Sequence, residues 1–432
     1  MRSEMKAARL SVVAGVALVG LALAGCTGGG SGGSSSGGDA SQNLTGKGPI
    51  TYVQGKDNSN VVRPLIEKWN SAHPDEKVTF KEQTDQADQQ HDDLVQHFQA
   101  KDSNYDVVDV DVVWTGEFAA KGWLQPLTGD FKMDNSSLLA PTVKSGTYNG
   151  TQYAAPQTSD GGILYYRKDL VPTPPKTWDD MLKDCDIAKA NGIGCYAGQF
   201  AQYEGLTVNV AEAINTNGGT IVGDDGKTVT VDSKEANAGL SRLVDGFKNG
   251  QIPAEAITYQ EEQGRQAFEA GKLLFLRNWP YVYNLAKTDG SSTVKDTFGV
   301  APLPGVSADK PGVSSLGGHN AAISVYSKHK ATAFAFLKFL QSEETQKFFV
   351  TQGSLAPVLS SLYDDADLNT QLPYLSTLKT SIENAVPRPV SPFYPAITKA
   401  VQDNSYAALK GDKTVDQALK DMASAIQTAS QG

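Results

Sequence analysis

The sequence predicts an α/β fold built on more than one sheet, and three stretches carry that reading. Between Ile50 and Trp114 strand-like and helix-like segments alternate, which argues for a mostly parallel sheet with helices on both faces. From Tyr153 to Leu170 a short segment containing Pro156 passes through Ser159-Asp160-Gly161-Gly162 and resumes as an apolar run. That reads as a strand leaving one sheet, a pliable crossing, and a strand entering another. A ligand caught at the crossing meets Asp160 first. From Gly271 to Tyr283 a helix stop is followed by a buried strand and an exit rich in aromatics, with Pro280 ending the strand pairing because it has no amide hydrogen.

In chain order, Ile50 to Val53 is the first strand, and the polar run through Asn58 and Asn60 supplies N-cap residues for a helix carrying Leu65, Ile66 and Trp69. Lys77 to Glu82 alternates as a strand, and Leu94 and Phe98 mark the apolar stripe of a second helix. The β-branched run Val107 to Val113 has the composition of a buried strand. In such sheets ligands bind beyond the carboxyl ends of the strands, where Asp111 and Trp114 fall. A core aromatic and a turn carboxylate are equally good readings of that pair. Thr115 is placed to cap the next helix, and Thr177-Trp178-Asp179-Asp180 resembles a capping box. Leu240, Leu243, Val244 and Phe247 follow Asp232-Ser233 as a helical stripe. The aromatics around Pro280 fit a stacking wall. Gly317 and Gly318 let backbone approach a ligand or simply turn the chain. Phe334, Phe336 and Phe339 lie in a late helix, and Leu419, Met422 and Ile426 share one face of the last.

The 432 residues suit two or three domains. Lys and Arg total 38 against 48 Asp and Glu, and such an acidic body does not suit a nucleic-acid surface. At the N-terminus Arg2, Lys6 and Arg9 precede an apolar stretch from Leu10 to Ala24, too short to span a membrane and typical of a secretory signal. Gly28 to Gly38 is all Gly and Ser, a flexible tether. In an exported chain Cys185 and Cys195 are expected to form a disulfide, and no metal-ligand cluster accompanies them.

Leu23-Ala24-Gly25-Cys26 resembles the bacterial lipobox. With the tether, the run DVDVVWTGEFAAKGWLQPL from Asp109, ILYYRKDL after the crossing, RNWPY, FGVAPLPG and LGGHN, the chain resembles the extracellular sugar-binding lipoproteins of bacterial ABC importers. The likeness is to maltose- and trehalose-type members, closest to actinobacterial ones, and covers the chain from about Pro49. It implies a two-lobed type II periplasmic-binding-protein fold closing over a sugar. Residues 1–25 would be the signal peptide and 26–48 the acylated Cys26 with its tether. Residues 49–156 and 305–351 would form lobe 1, and 157–304 and 352–432 lobe 2. The ligand contacts it implies are Asn58, Asp111, Trp114, Asp160, Trp279, Tyr281, Gly317, Gly318, His319 and Arg388.

His319 stands where many relatives carry tryptophan; His91 stands where arginine is common and Asn58 or Asn60 where some carry glutamate, and these last two departures bear on which sugar is bound. A turn histidine is the other reading of His319, and a salt bridge between the C-terminal segments that of Arg388. Glu204 fits either a helix start or the cleft wall.

Carboxylates accept from adjacent sugar hydroxyls, a guanidinium donates in a fork, and flat rings cover C–H faces. The expected ligand is a neutral oligosaccharide with α-linked glucose. The expected partners are ABC permease subunits, with a lipid anchor on the outer face of the cell membrane, a monomeric chain, and neither metal nor cofactor. Two alternatives remain on sequence grounds. Asp111 and Asp160 could form the carboxylate pair of a secreted glycoside hydrolase, or the chain could signal to a membrane kinase.

Overall fold

The computed structural model describes residues 44–431. The signal segment, Cys26 and the tether lie outside them. The first sheet has five strands in the order Val78–Glu82, Ile50–Gln54, Val107–Asp111, His319–Ile323, Ala154–Thr158. The first three pair in parallel, and only His319–Ile323 runs against its neighbours. The strand that runs backwards begins where the others end, so His319 faces Asp111 on one side and Thr158 on the other.

Apolar residues at helical spacing explain the covering layers. Helix Val62–Ala72 buries Val62, Leu65, Ile66 and Trp69, and helix Ala87–Gln99 buries Leu94 and Phe98. Each such side chain contributes about 1.5–3 kcal/mol of transfer free energy. The polar run does supply an acceptor at the start of the first helix, through Asp57, which takes Val62 N at 2.8 Å, rather than through Asn58 or Asn60; the N-cap position itself is Val61. Thr115 is not a cap either. It is the first residue of helix Thr115–Ala120, behind Trp114, because the strand ends at Asp111 and the chain turns sooner than the β-branched run suggests.

The second sheet orders its strands Phe298–Ala301, Ile163–Arg167, Leu273–Asn278, Gly194–Ala197. Its core is joined by Leu240, Leu243, Leu419, Met422 and Ile426 from the long helices. Thr177 caps helix Trp178–Ala190 through Asp180 N at 3.0 Å, as the capping-box pattern indicates. The two sheets are linked by the crossing at Ser159 to Gly162 and by a second passage, where Ser315–Leu316 pairs in parallel with Val386–Pro387.

The Cys185–Cys195 disulfide is present, joining helix Trp178–Ala190 to strand Gly194–Ala197 with Cα atoms 5.0 Å apart. Loop-closure entropy over so short a span is worth up to about 3 kcal/mol. Reductant is therefore expected to lower the melting temperature of the native chain and to leave that of Cys185→Ser/Cys195→Ser unchanged. Equal melting curves for the native chain with and without reductant would count against the bond as a stabilising link. No helix among the described residues is long and apolar enough to cross a membrane.

Candidate ligand-binding cleft

The carboxyl ends of the first sheet, the crossing, and the exit of strand Leu273–Asn278 converge on one cleft. Asn58, Asp111, Trp114, Asp160, Trp279, Tyr281, Gly317, Gly318, His319 and Arg388 all line it. One of these positions requires glycine, and a second is packed tight against Trp279. Gly318 has φ +100°, and a Cβ on Gly317 would lie 2.7 Å from Cζ3 of Trp279. Gly317 and Asp160 lock the crossing by a reciprocal backbone pair, Gly317 N to Asp160 O at 2.8 Å and Asp160 N to Gly317 O at 3.2 Å.

Arg388 is buried and its two terminal nitrogens are already engaged. Nη2 lies 2.8 Å from Asp111 Oδ1 and Nη1 lies 2.5 Å from Glu204 Oε1. An ion pair is thus formed, as the alternative reading of this residue has it, but its partners are the end of strand Val107–Asp111 and the start of helix Glu204–Thr216. Each terminal nitrogen keeps a second N–H beyond these bonds, and Nε is buried without a partner in the protein. Glu204 is both helix start and cleft wall, and also accepts from Tyr394 Oη and Thr398 Oγ1. Burial raises its pKa, with Asp111 adding and Arg388 opposing.

Asp160 Oδ1 and Asp109 Oδ1 are likewise buried without a partner. Burial pushes the Asp160 carboxyl up to about 6, against the opposing pull of His319 and Arg277. His319 Nδ1 sits 2.8 Å from Asp109 Oδ2. Burial works against its charge, but Asp109, Asp111 and Asp160 outweigh it and push the imidazole up to about 9. A histidine raised above its unfolded value near 6.5 gives stability that is full below that value and lost as pH rises through about 9. The ligand-free melting temperature is expected to fall across this window, and His319→Gln is expected to flatten the fall. An unchanged slope in that variant would remove His319 as its source.

Several lining residues were not singled out by the sequence. Asp109 could have been: it lies two residues before Asp111 on an alternating strand, hence on the same face. Tyr203, Glu261 and Glu262 reach the cleft from helix starts, with Tyr203 Oη donating to Glu261 at 2.7 Å and Tyr281 Oη to Glu262 at 2.6 Å. No local pattern announces them. His91 is not among the lining residues; it contacts Glu117 at 2.7 Å and packs edge-on to Trp114. Asn60 is not among them either, whereas Asn58 is.

Residues 54–347 match the family described as bacterial extracellular solute-binding protein. The chain belongs to this family. A probable ABC transporter-binding protein of Deinococcus radiodurans is 32% identical over 349 residues, 75% of this chain and 80% of that one. A maltotriose-binding protein of Pyrococcus abyssi is 25% identical over 313 residues, 70% of this chain and 65% of that one. Among solved structures, maltose-bound MalE3 of Thermotoga maritima superposes with a TM-score of 0.83 at 33% identity, covering 88% of this chain and 99% of that one. The GacH receptor of Streptomyces glaucescens shares the fold, with a TM-score of 0.79 at 22% identity over 89% of this chain and 99% of that one. This solute-binding protein therefore has the two-lobed type II fold that the resemblance implied. It is a binding protein and not an enzyme, which sets aside the hydrolase alternative raised by Asp111 and Asp160.

Proposed function

We propose that the chain is the sugar-capturing component of an ABC importer. It takes a neutral oligosaccharide, an α-glucoside such as maltose or trehalose, and hands it to a membrane permease from a lipid anchor at Cys26. The lobes are taken as 49–156 with 305–351 and 157–304 with 352–432, and hinge closure brings them over the sugar. The observation that carries the proposal is the convergence of Asp111, Asp160, Trp279, Tyr281 and His319 on one cleft, beside the orphaned polar atoms Asp160 Oδ1, Asp109 Oδ1 and Arg388 Nε. Sugar hydroxyls both donate and accept, so a polyol suits a wall that carries both kinds of unpaired group.

Eight lining carboxylates, Asp57, Asp85, Asp109, Asp111, Asp160, Glu204, Glu261 and Glu262, stand against Lys56, Arg388 and His319 among the lining residues. That balance disfavours phosphorylated sugars. The names of relatives that bind maltose and maltotriose support the same class.

Calorimetry of the mature chain with α-glucosides, β-glucosides and pentose oligomers tests the reading; binding of an α-glucoside is expected, and heat from none of the three classes overturns it. The sugar affinity is expected to fall as pH drops through about 6, because a protonated Asp160 offers one acceptor fewer. Asp160→Asn is expected to bind weakly at every pH. Strong, pH-independent binding by that variant would take Asp160 out of the contact.

A further inference from the structure

Beneath the cleft lies a charged pair that has no part in touching the solute. Arg277, fully buried on strand Leu273–Asn278, donates Nε to Glu212 Oε2 at 2.8 Å and Nη2 to Glu212 Oε1 at 2.5 Å. Its Nη1 reaches Gln199 Oε1 at 3.0 Å. The guanidinium carbon then lies only 3.9 Å from the centroid of the Trp279 ring. Space for this is made by the crossing, since a Cβ on Gly162 would stand 2.5 Å from Nη2. Glu212 in turn accepts from Ser315 N at 3.0 Å, and Ser314 Oγ accepts from Gly162 N at 2.6 Å.

A well-paired buried ion pair adds little stability over an apolar pair of the same volume. Stability alone therefore does not account for an arginine here. What arginine supplies is a flat, permanently charged plate that stacks on an indole face, which neither lysine nor methionine provides. Among the described residues no hydrogen bond holds the Trp279 side chain, so stacking and packing set the plane of its ring.

We infer that Arg277, fixed by Glu212, is a positioning residue for Trp279: it covers one face of the indole, presents the other to the solute, and joins that platform to the crossing at Gly162. The solute-facing half of this inference rests on the proposed sugar site. The test uses the full mature chain with maltose as probe. Arg277→Lys keeps the charge facing Glu212 and removes the flat plate.

Without ligand, the difference in near-ultraviolet circular dichroism between the parent and Trp279→Phe isolates the Trp279 signal. That difference is expected to shrink at least twofold when both chains carry Arg277→Lys. With maltose, Arg277→Lys is expected to raise Kd tenfold or more in the parent and less than twofold in Trp279→Ala. Equal weakening in both backgrounds, or an undiminished difference spectrum, overturns the inference. If Arg277→Lys does not fold, Glu212→Gln loosens the same guanidinium and is read the same way. Failure of the parent to bind maltose counts against the proposed function alone, because the ligand-free spectrum still decides the role of Arg277.

Discussion

Glu212→Ala is expected to destabilise the protein by about 3–5 kcal/mol, the loss seen when one partner of a buried ion pair is removed. Arg277 is 0% exposed and Glu212 is 6% exposed, so the orphaned guanidinium has no route to water. The same substitution removes the acceptor for Ser315 N and loosens the second passage between the sheets. Urea unfolding of the ligand-free chain measures the loss. Replacing both partners together, Glu212→Leu with Arg277→Met, is expected to recover most of it, since two apolar side chains strand no charge. A loss below about 1 kcal/mol in Glu212→Ala would show that the pair is not sealed from solvent.

Trp279→Ala is expected to weaken sugar binding by about 1–3 kcal/mol, the range for a buried aromatic contact, or roughly five- to 150-fold in Kd. The ring is half-buried, with one face on Arg277 and its edge against Gly317. Isothermal titration with the best α-glucoside, at a pH between the Asp160 and His319 transitions, gives the cleanest value. Unchanged affinity would place the sugar elsewhere in the cleft. Trp279→Phe should recover part of the loss, because a smaller flat ring still covers part of a C–H face.

The strand-end positions of the cleft were legible because period and direction are written locally. The β-branched run put Asp111 at the carboxyl end of a strand in the first sheet, and Ser-Asp-Gly-Gly put Asp160 at the crossing. What Arg388 binds was not legible. Its partners lie 184 and 277 residues away, and only the folded chain shows Glu204 and Asp111 taking both of its terminal nitrogens. The Thr115 cap failed for a different reason. A threonine after a turn has the same local signature whether it stands before the first helical residue or is that residue. Tyr203 and Glu261 were hidden because helix starts are common, and which of them face a cleft depends on how two sheets are set against each other. His319 was reached only through the family resemblance of the LGGHN segment. Its electrostatic setting, three carboxylates around one imidazole, follows from the single reversed strand of the first sheet.

Arg388 reaches a strand end of one sheet with one nitrogen and a helix start beside the other sheet with its second. If the lobes divide as proposed, Arg388 and Glu204 move together, and parting the halves breaks only the 2.8 Å contact of Arg388 with Asp111. On that division any guest leaves only after this one charged contact is broken, a cost set by the protein and the same whichever guest is inside.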